Sequence, residues 1–246
     1  GIRDRSPSRG LGDVYKRQTY TYLISCQEKQ EAILIDPSLE TLNRDLKILE
    51  SMGLRLTYAI DTHIHADHVT SASALREITK CKIAGPADDK LKCRDINLKH
   101  RDNIIIGNSL KLEAIHTPGH TDTHFSYVLN NKFNKFLFSG DALLINTCGR
   151  TDFQSGSSEE LYNTIKKTFY SMPDETKIYP AHDYNKNNVS TIREQKKYNM
   201  LINENIKIKD FVNSMSNLKL DKPKKMDFAV PLNNKCGIND LHEKNL

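Results

Sequence analysis

Within eight residues, Asp61-Thr62-His63-Ile64-His65-Ala66-Asp67-His68, the chain places three imidazoles and two carboxylates. These are the side chains that hold first-row divalent metals. They come directly behind an apolar run, Leu56-Thr57-Tyr58-Ala59-Ile60. His63 and His65 lie two apart, so an extended segment points both rings to one side. Asp67 and His68 follow where the chain should turn into a helix over residues 69–79. A solvated polar loop would explain one histidine; a packed set of this composition points to a metal site.

Three other places repeat the pattern. Ala114-Ile115-His116-Thr117-Pro118-Gly119-His120 sets a histidine past an apolar strand, with a Pro-Gly turn to redirect the chain. Phe136-Leu137-Phe138-Ser139-Gly140-Asp141 ends a strand on an aspartate, and Gly140 permits close backbone approach. Ile178-Tyr179-Pro180-Ala181-His182 ends the same way. Loops at strand ends converge on one edge of a sheet, so His120, Asp141 and His182 are expected beside the histidine loop. His116 and His124 flank this region and are read as structural or as supports for the ligands. The chemistry has two forms on physical grounds alone. Two zinc ions bridged by Asp141 would activate water for hydrolysis. One ion held by two histidines and a carboxylate on one face would leave positions open, as suits Fe(II) and oxygen.

The elements that must position these residues are short. Thr19 to Ser25 and Ala32 to Asp36 read as strands joined by a polar turn. Pro37-Ser38 opens a helix with Leu42, Leu46 and Leu49 at helical spacing, stopped by Gly53. Strand 55–60 delivers the histidine loop. Shorter strands follow near 81–84 and 103–106, then 110–115, 125–129, 136–138 and 176–180. Ser157-Ser158-Glu159-Glu160 is a capping-box pattern opening a helix that ends before Pro173, and another helix lies near 189–199. This mixture predicts a layered α/β fold. Residues 1–18 have no apolar periodicity and are expected to lie outside the fold, as a transit remnant or an artefact. Residues 19–246 are expected to form one domain.

Composition narrows the class. Of the formal charge of +5, residues 1–18 supply +3, from five basic residues against Asp4 and Asp13. The remaining +2 is too little to argue for a nucleic-acid partner. No apolar run approaches the eighteen or so residues of a membrane span, so no membrane partner is expected. The five cysteines (Cys26, Cys81, Cys93, Cys148, Cys236) are odd in number and widely spaced, which predicts no disulfide framework and fits a reducing compartment.

The constellation His63, His65, Asp67, His68, His120, Asp141 and His182 resembles that of the metallo-β-lactamase superfamily, which implies an αββα sandwich. Within it the chain is similar to the persulfide dioxygenases, the ETHE-type sulfur dioxygenases. The likeness rests on Thr62 through His68, on Gly140-Asp141-Ala142-Leu143-Leu144-Ile145 and on Cys148-Gly149-Arg150-Thr151-Asp152-Phe153-Gln154. Tyr179-Pro180-Ala181-His182-Asp183-Tyr184 and the tail Met226-Asp227-Phe228-Ala229-Val230-Pro231 with Cys236-Gly237 extend it. The resemblance implies one Fe(2+) per chain on His63, His120 and Asp141, which are then the catalytic residues, with Zn(2+) the alternative metal. His65, Asp67, His68 and His182 would be kept as supports rather than as a second metal site. The implied reaction oxidises glutathione persulfide with O2 to sulfite and glutathione, in the mitochondrial matrix or else the cytoplasm; a homodimer is among the expected partners. Arg150, a match to an arginine of that family, would meet a substrate carboxylate, and Tyr184 would line the substrate pocket. The other reading for Arg150 is a brace through Asp152. The chain departs from the family at Thr121-Asp122-Thr123-His124, where a small turn is usual; Asp122 adds a carboxylate beside the expected metal. The runner-up is a dinuclear zinc thioester hydrolase of the glyoxalase-II type, and the third reading is a non-catalytic metal-binding protein.

Overall fold

The computed structural model describes Ile2–Arg3 and residues 19–108, 110–131, 134–183 and 187–237. Alternation of apolar side chains sorts them into two six-stranded sheets. The first runs β1 (Ile2–Arg3), β2 (Tyr22–Cys26), β3 (Glu31–Ile35), β4 (Arg55–Ile60), β5 (Lys82–Pro86) and β6 (Ile96–Leu98). The second holds β7 (Asn103–Ile106), β8 (Leu110–His116), β9 (Phe125–Asn130), β10 (Lys135–Gly140), β11 (Lys177–Pro180) and β12 (Ser190–Thr191), in the order β12-β11-β10-β9-β8-β7. Ile2–Arg3 pairs antiparallel with β2, so these two residues of the leader join the sheet rather than lying outside it.

In β3, Ile33 and Ile35 face the second sheet while Leu34 and Ala32 face outward, as a period of two requires. Ile24, Ile33, Ile35 and Ile60 meet Leu112, Phe125, Tyr127 and Phe138 between the sheets. Each such fully buried side chain contributes about 1.5–3 kcal/mol. The outer face of the first sheet packs on α1 (Leu42–Ser51) and α2 (Ala72–Thr79) through Leu49, Ala72 and Leu75. The outer face of the second packs on α3 (Ser158–Asn163), α4 (Ile192–Tyr198) and α5 (Ile208–Ser216) through Leu161, Ile192 and Phe211. The layers are therefore helix, sheet, sheet, helix, as the αββα expectation required. Helix α2 begins three residues later than periodicity suggests. At Ser157 the side chain accepts from the Glu160 N–H, while the reciprocal capping box forms at Thr191 and Glu194.

Strand direction decides where the loops go. β8 and β10 are both antiparallel to β9, hence parallel to each other, and β11 is parallel to β10. Their C-terminal ends, which precede His120, Asp141 and His182, share one edge. In the first sheet β3, β4 and β5 are also mutually parallel, and β4 ends at the histidine loop. The Phe125 N–H donates to the Thr62 carbonyl at 2.8 Å, tying the two edges together.

One pairing overturns an expectation. Cys93 and Cys236 form a disulfide, S–S 2.06 Å, across 143 residues of sequence. Spacing along the chain cannot reveal a contact created only when Cys236, just past α6 (Met226–Asn233), packs among the residues on the outer face of the first sheet. Cys26, Cys81 and Cys148 are free and buried. Burial pushes the Cys148 thiol up to about 12, which makes it inert as a nucleophile.

Candidate active site

Three ligand atoms from three strand ends come together. His63 Nε2 lies 4.0 Å and His120 Nε2 3.5 Å from Asp141 Oδ2, and one atom from each of the three residues falls within 4.8 Å of the others. Metal–ligand bonds of about 2.0–2.2 Å put two ligands of one ion at most about 4.4 Å apart, so small movements suffice. His65, Asp67 and His68 form a second such group. His182 Nε2 stands between the groups, 3.5 Å from Asp67 Oδ2 and 3.6 Å from Asp141 Oδ1. All seven residues singled out by their sequence positions thus lie on one edge of the sandwich.

Hydrogen bonds fix which nitrogen each ring presents. The Thr62 hydroxyl donates to Asp36 Oδ2 at 3.0 Å, so it accepts from His63 Nδ1 at 2.9 Å. That leaves His63 Nε2 with a lone pair. His120 Nδ1–H donates to the Arg150 carbonyl at 2.7 Å, which likewise frees Nε2. Burial pushes the His63 pKa well down, helped by repulsion from His65, His120 and His124. A neutral ring with its donor already engaged is a ready metal ligand. Asp141 Oδ1 is buried and no donor reaches it, nor is His68 Nε2 hydrogen-bonded. Orphaned buried acceptors around one point are what a cation would satisfy. The residues fit a metal ion.

Asp36 is a site residue that the sequence reading passed over. Its Oδ1 accepts from the Thr62 N–H at 2.7 Å and from His65 Nε2 at 3.0 Å. Burial works against a charged His65, but Asp36, Asp61 and Asp67 outweigh it and raise its pKa to about 9. The signal was present: Ile33-Leu34-Ile35-Asp36 is another apolar strand ending on an acid. His124 supports the site, as expected. Burial, then repulsion from His120 and His65, holds its pKa well below the ordinary value. Its Nε2 accepts from the Asp141 N–H at 3.2 Å, and Nδ1–H reaches Thr117 Oγ1 at 2.9 Å. Gly140, at φ +53°, leaves room for this: a Cβ there would lie 2.5 Å from His124 Nε2. His116 is structural, with Nε2–H on the Asp122 carbonyl at 3.0 Å.

Residues 14–182 match the model of the metallo-beta-lactamase superfamily. The human mitochondrial persulfide dioxygenase ETHE1 is 41% identical over 226 residues, 89% of this chain and 85% of its own length. The crystal structure of ETHE1 from Myxococcus xanthus superposes with a TM-score of 0.86 at 39% identity, covering 96% of this chain and 100% of that one. A cytoplasmic hydroxyacylglutathione hydrolase of Arabidopsis thaliana is 29% identical over 177 residues, 70% of this chain and 67% of its own. The chain belongs to the metallo-β-lactamase superfamily and, within it, to the persulfide dioxygenase family.

In this member of the family Arg150 is already occupied. Its Nε and Nη2 donate to the two oxygens of Asp152 at 2.6 and 2.7 Å, and Nη1 donates to the Asp221 carbonyl at 2.7 Å. The guanidinium also lies 4.6 Å from the centre of the Phe153 ring. This is the bracing arrangement, and it holds the same backbone carbonyl that orients His120. Arg150→Ala is therefore expected to loosen His120 and cost part of the bound metal, with about 1–3 kcal/mol of stability lost. Metal content beside thermal melting reads this out; full metal with weakened substrate binding would restore the substrate role. Tyr184 lies outside the described residues.

The C-terminal region of this chain supplies a clamp that no local signal announces. Asn233 Nδ2 donates to the carbonyls of His65 and His68, both at 2.8 Å, and its Oδ1 accepts from the Thr70 N–H at 2.9 Å. The histidine loop is thus held in shape by α6.

Proposed function

We propose that this enzyme is an iron-dependent persulfide dioxygenase whose single Fe(2+) is held by His63, His120 and Asp141 and whose substrate is glutathione persulfide. The observation that supports this most is the reach of the likeness. Sequence similarity to the human persulfide dioxygenase runs over 89% of the chain at 41% identity, against 70% at 29% for the hydrolase. The overall reaction balances as glutathione persulfide, O2 and water giving glutathione, sulfite and two protons.

Iron bound on this face would supply open coordination positions and a path for electrons from the persulfide sulfur to oxygen. The protein's own part is positional. Asp36 through Thr62, and the Arg150 carbonyl, present the two Nε2 atoms unprotonated. His63 is 2% exposed and His65 1%, so water is largely kept from this side of the site. Fixed groups in a dry site need no reorganisation as the reaction proceeds. His65, Asp67, His68 and His182 serve as the hydrogen-bonding surround in this reading. Among the described residues no helix is long and apolar enough to cross a membrane. By likeness to the human mitochondrial protein, the mitochondrial matrix is the proposed location.

Elemental analysis of the purified protein beside oxygen uptake with glutathione persulfide tests the reading. About one equivalent of iron with oxygen consumed and sulfite released is expected. Two equivalents of zinc, thioester hydrolysis and no oxygen uptake would establish the glyoxalase-II alternative instead.

A further inference from the structure

Beside the histidine loop lies a cleft of about 280 Å³. Its walls include Ile64, Thr121, Asp122, Gln154, Asp88 and Asp89. Ile64 sits between two histidines of the site, and Thr121 directly follows His120. Gln154 closes the near wall by donating to the Ile64 carbonyl at 2.8 Å. Asp88 and Asp89 come from the short turn that follows β5, whose C-terminal end opens on the same edge as the metal residues.

The charges of this cleft are one-sided. Asp89 is neutralised by Arg94, at 2.7 Å in a fully enclosed ion pair. Arg94 is held there, since its Nη1 also donates to the Pro86 carbonyl at 2.6 Å. Asp88 and Asp122 are exposed and have no cation among the lining residues. A second observation makes the cleft a built site rather than a patch of acids. Thr121, one of the lining residues, is 2% exposed, and its buried Oγ1 has no hydrogen-bond partner. A buried hydroxyl without a partner costs about 1–3 kcal/mol, which a ligand oxygen arriving there would recover. With Arg150 engaged by Asp152, no free guanidinium is offered to a carboxylate from that direction.

We propose that this cleft binds the amino-acid end of the substrate, with Asp122 and Asp88 attracting its α-ammonium group and the Thr121 hydroxyl donating to the adjacent carboxylate. The site therefore selects persulfides that carry a free amine. The choice of ligand rests on the dioxygenase reading; the charge argument stands on the cleft. Glutathione has such an end in its γ-glutamyl residue; N-acetylation removes the positive charge and adds bulk, and the double variant separates the two effects. Because both acids are exposed, solvent screens them and the discrimination is modest.

The test measures dissociation constants of glutathione and N-acetylglutathione on the metal-loaded protein by calorimetry, in the wild type and in the Asp88→Asn/Asp122→Asn double variant. The wild type is expected to prefer the free amine about 5-fold, and the double variant to bring that ratio close to unity. Equal affinities in the wild type, or an undiminished preference in the variant, would overturn the proposal. Oxygen uptake with glutathione persulfide is recorded on the same samples. Its absence would sink the dioxygenase reading alone, and the affinity ratio would still decide the role of the cleft.

Discussion

Asp141→Ala is expected to leave the protein folded but to strip its metal and lower persulfide oxidation at least about 1,000-fold. Supporting residues around a metal are worth 10–100-fold, and a direct anionic ligand is worth more. Asp141 supplies the carboxylate of the group that also contains His63 and His120. Its Oδ2 lies 3.5 Å from His120 and its Oδ1 3.6 Å from His182, so one residue faces both halves of the constellation. The change removes little that holds the fold. The Asp141 N–H that donates to His124 belongs to the backbone and survives in alanine. With no donor on Oδ1, truncation also leaves few partners unsatisfied. Iron content, oxygen uptake and a melting curve on the same sample separate these effects. A variant with full iron and full activity would remove Asp141 from the metal set.

Much of this arrangement could be read from local pattern. Strands β4, β8, β10 and β11 are short apolar runs bounded by Gly, Pro or polar turns, and each delivers its histidine or aspartate within a few residues of its end. Convergence follows from the shared direction of β8, β10 and β11 in one sheet and from the Phe125–Thr62 backbone bond that brings the end of β4 beside them. What stayed hidden depends on long-range closure. Asn233 grips His65 and His68 from 165 residues away or more, and its own segment carries no metal-binding pattern. The Cys93–Cys236 bond is invisible for the same reason. In β4 the paired residues skip from Leu56 to Tyr58, so Leu56 and Ala59 face the same side, where strict alternation would oppose them. Arg150 shows a different limit. Sequence places a cation near the metal; only geometry shows that Asp152 has already taken it.

Asp36 gives the second large effect, because it sets the protonation of a ligand it does not touch. In the wild type its carboxylate can only accept, so the Thr62 hydroxyl proton points at Oδ2 and the hydroxyl oxygen takes the His63 Nδ1 proton. Asp36→Asn keeps the shape but places an amide donor opposite that hydroxyl, while its carbonyl still serves the Thr62 N–H and His65. The hydroxyl then turns its proton toward His63 Nδ1, the ring proton moves to Nε2, and the lone pair needed for the metal is lost. Metal affinity is expected to fall about 10–100-fold, with activity falling in parallel. A pH signature accompanies it. Asp36 helps raise the His65 pKa to about 9 from 6.5, so in the metal-free protein this stabilisation is full below about 6.5 and disappears as pH rises through 9. The variant's deficit in urea denaturation should therefore be larger at pH 6 than at pH 10. Thr62→Val removes the relay without adding a donor; it should weaken metal binding with a smaller change in the pH dependence of stability. Iron affinity unaltered in both variants would mean that His63 is oriented by packing alone, and the hydrogen-bond relay from β3 to the metal would have no part in the site.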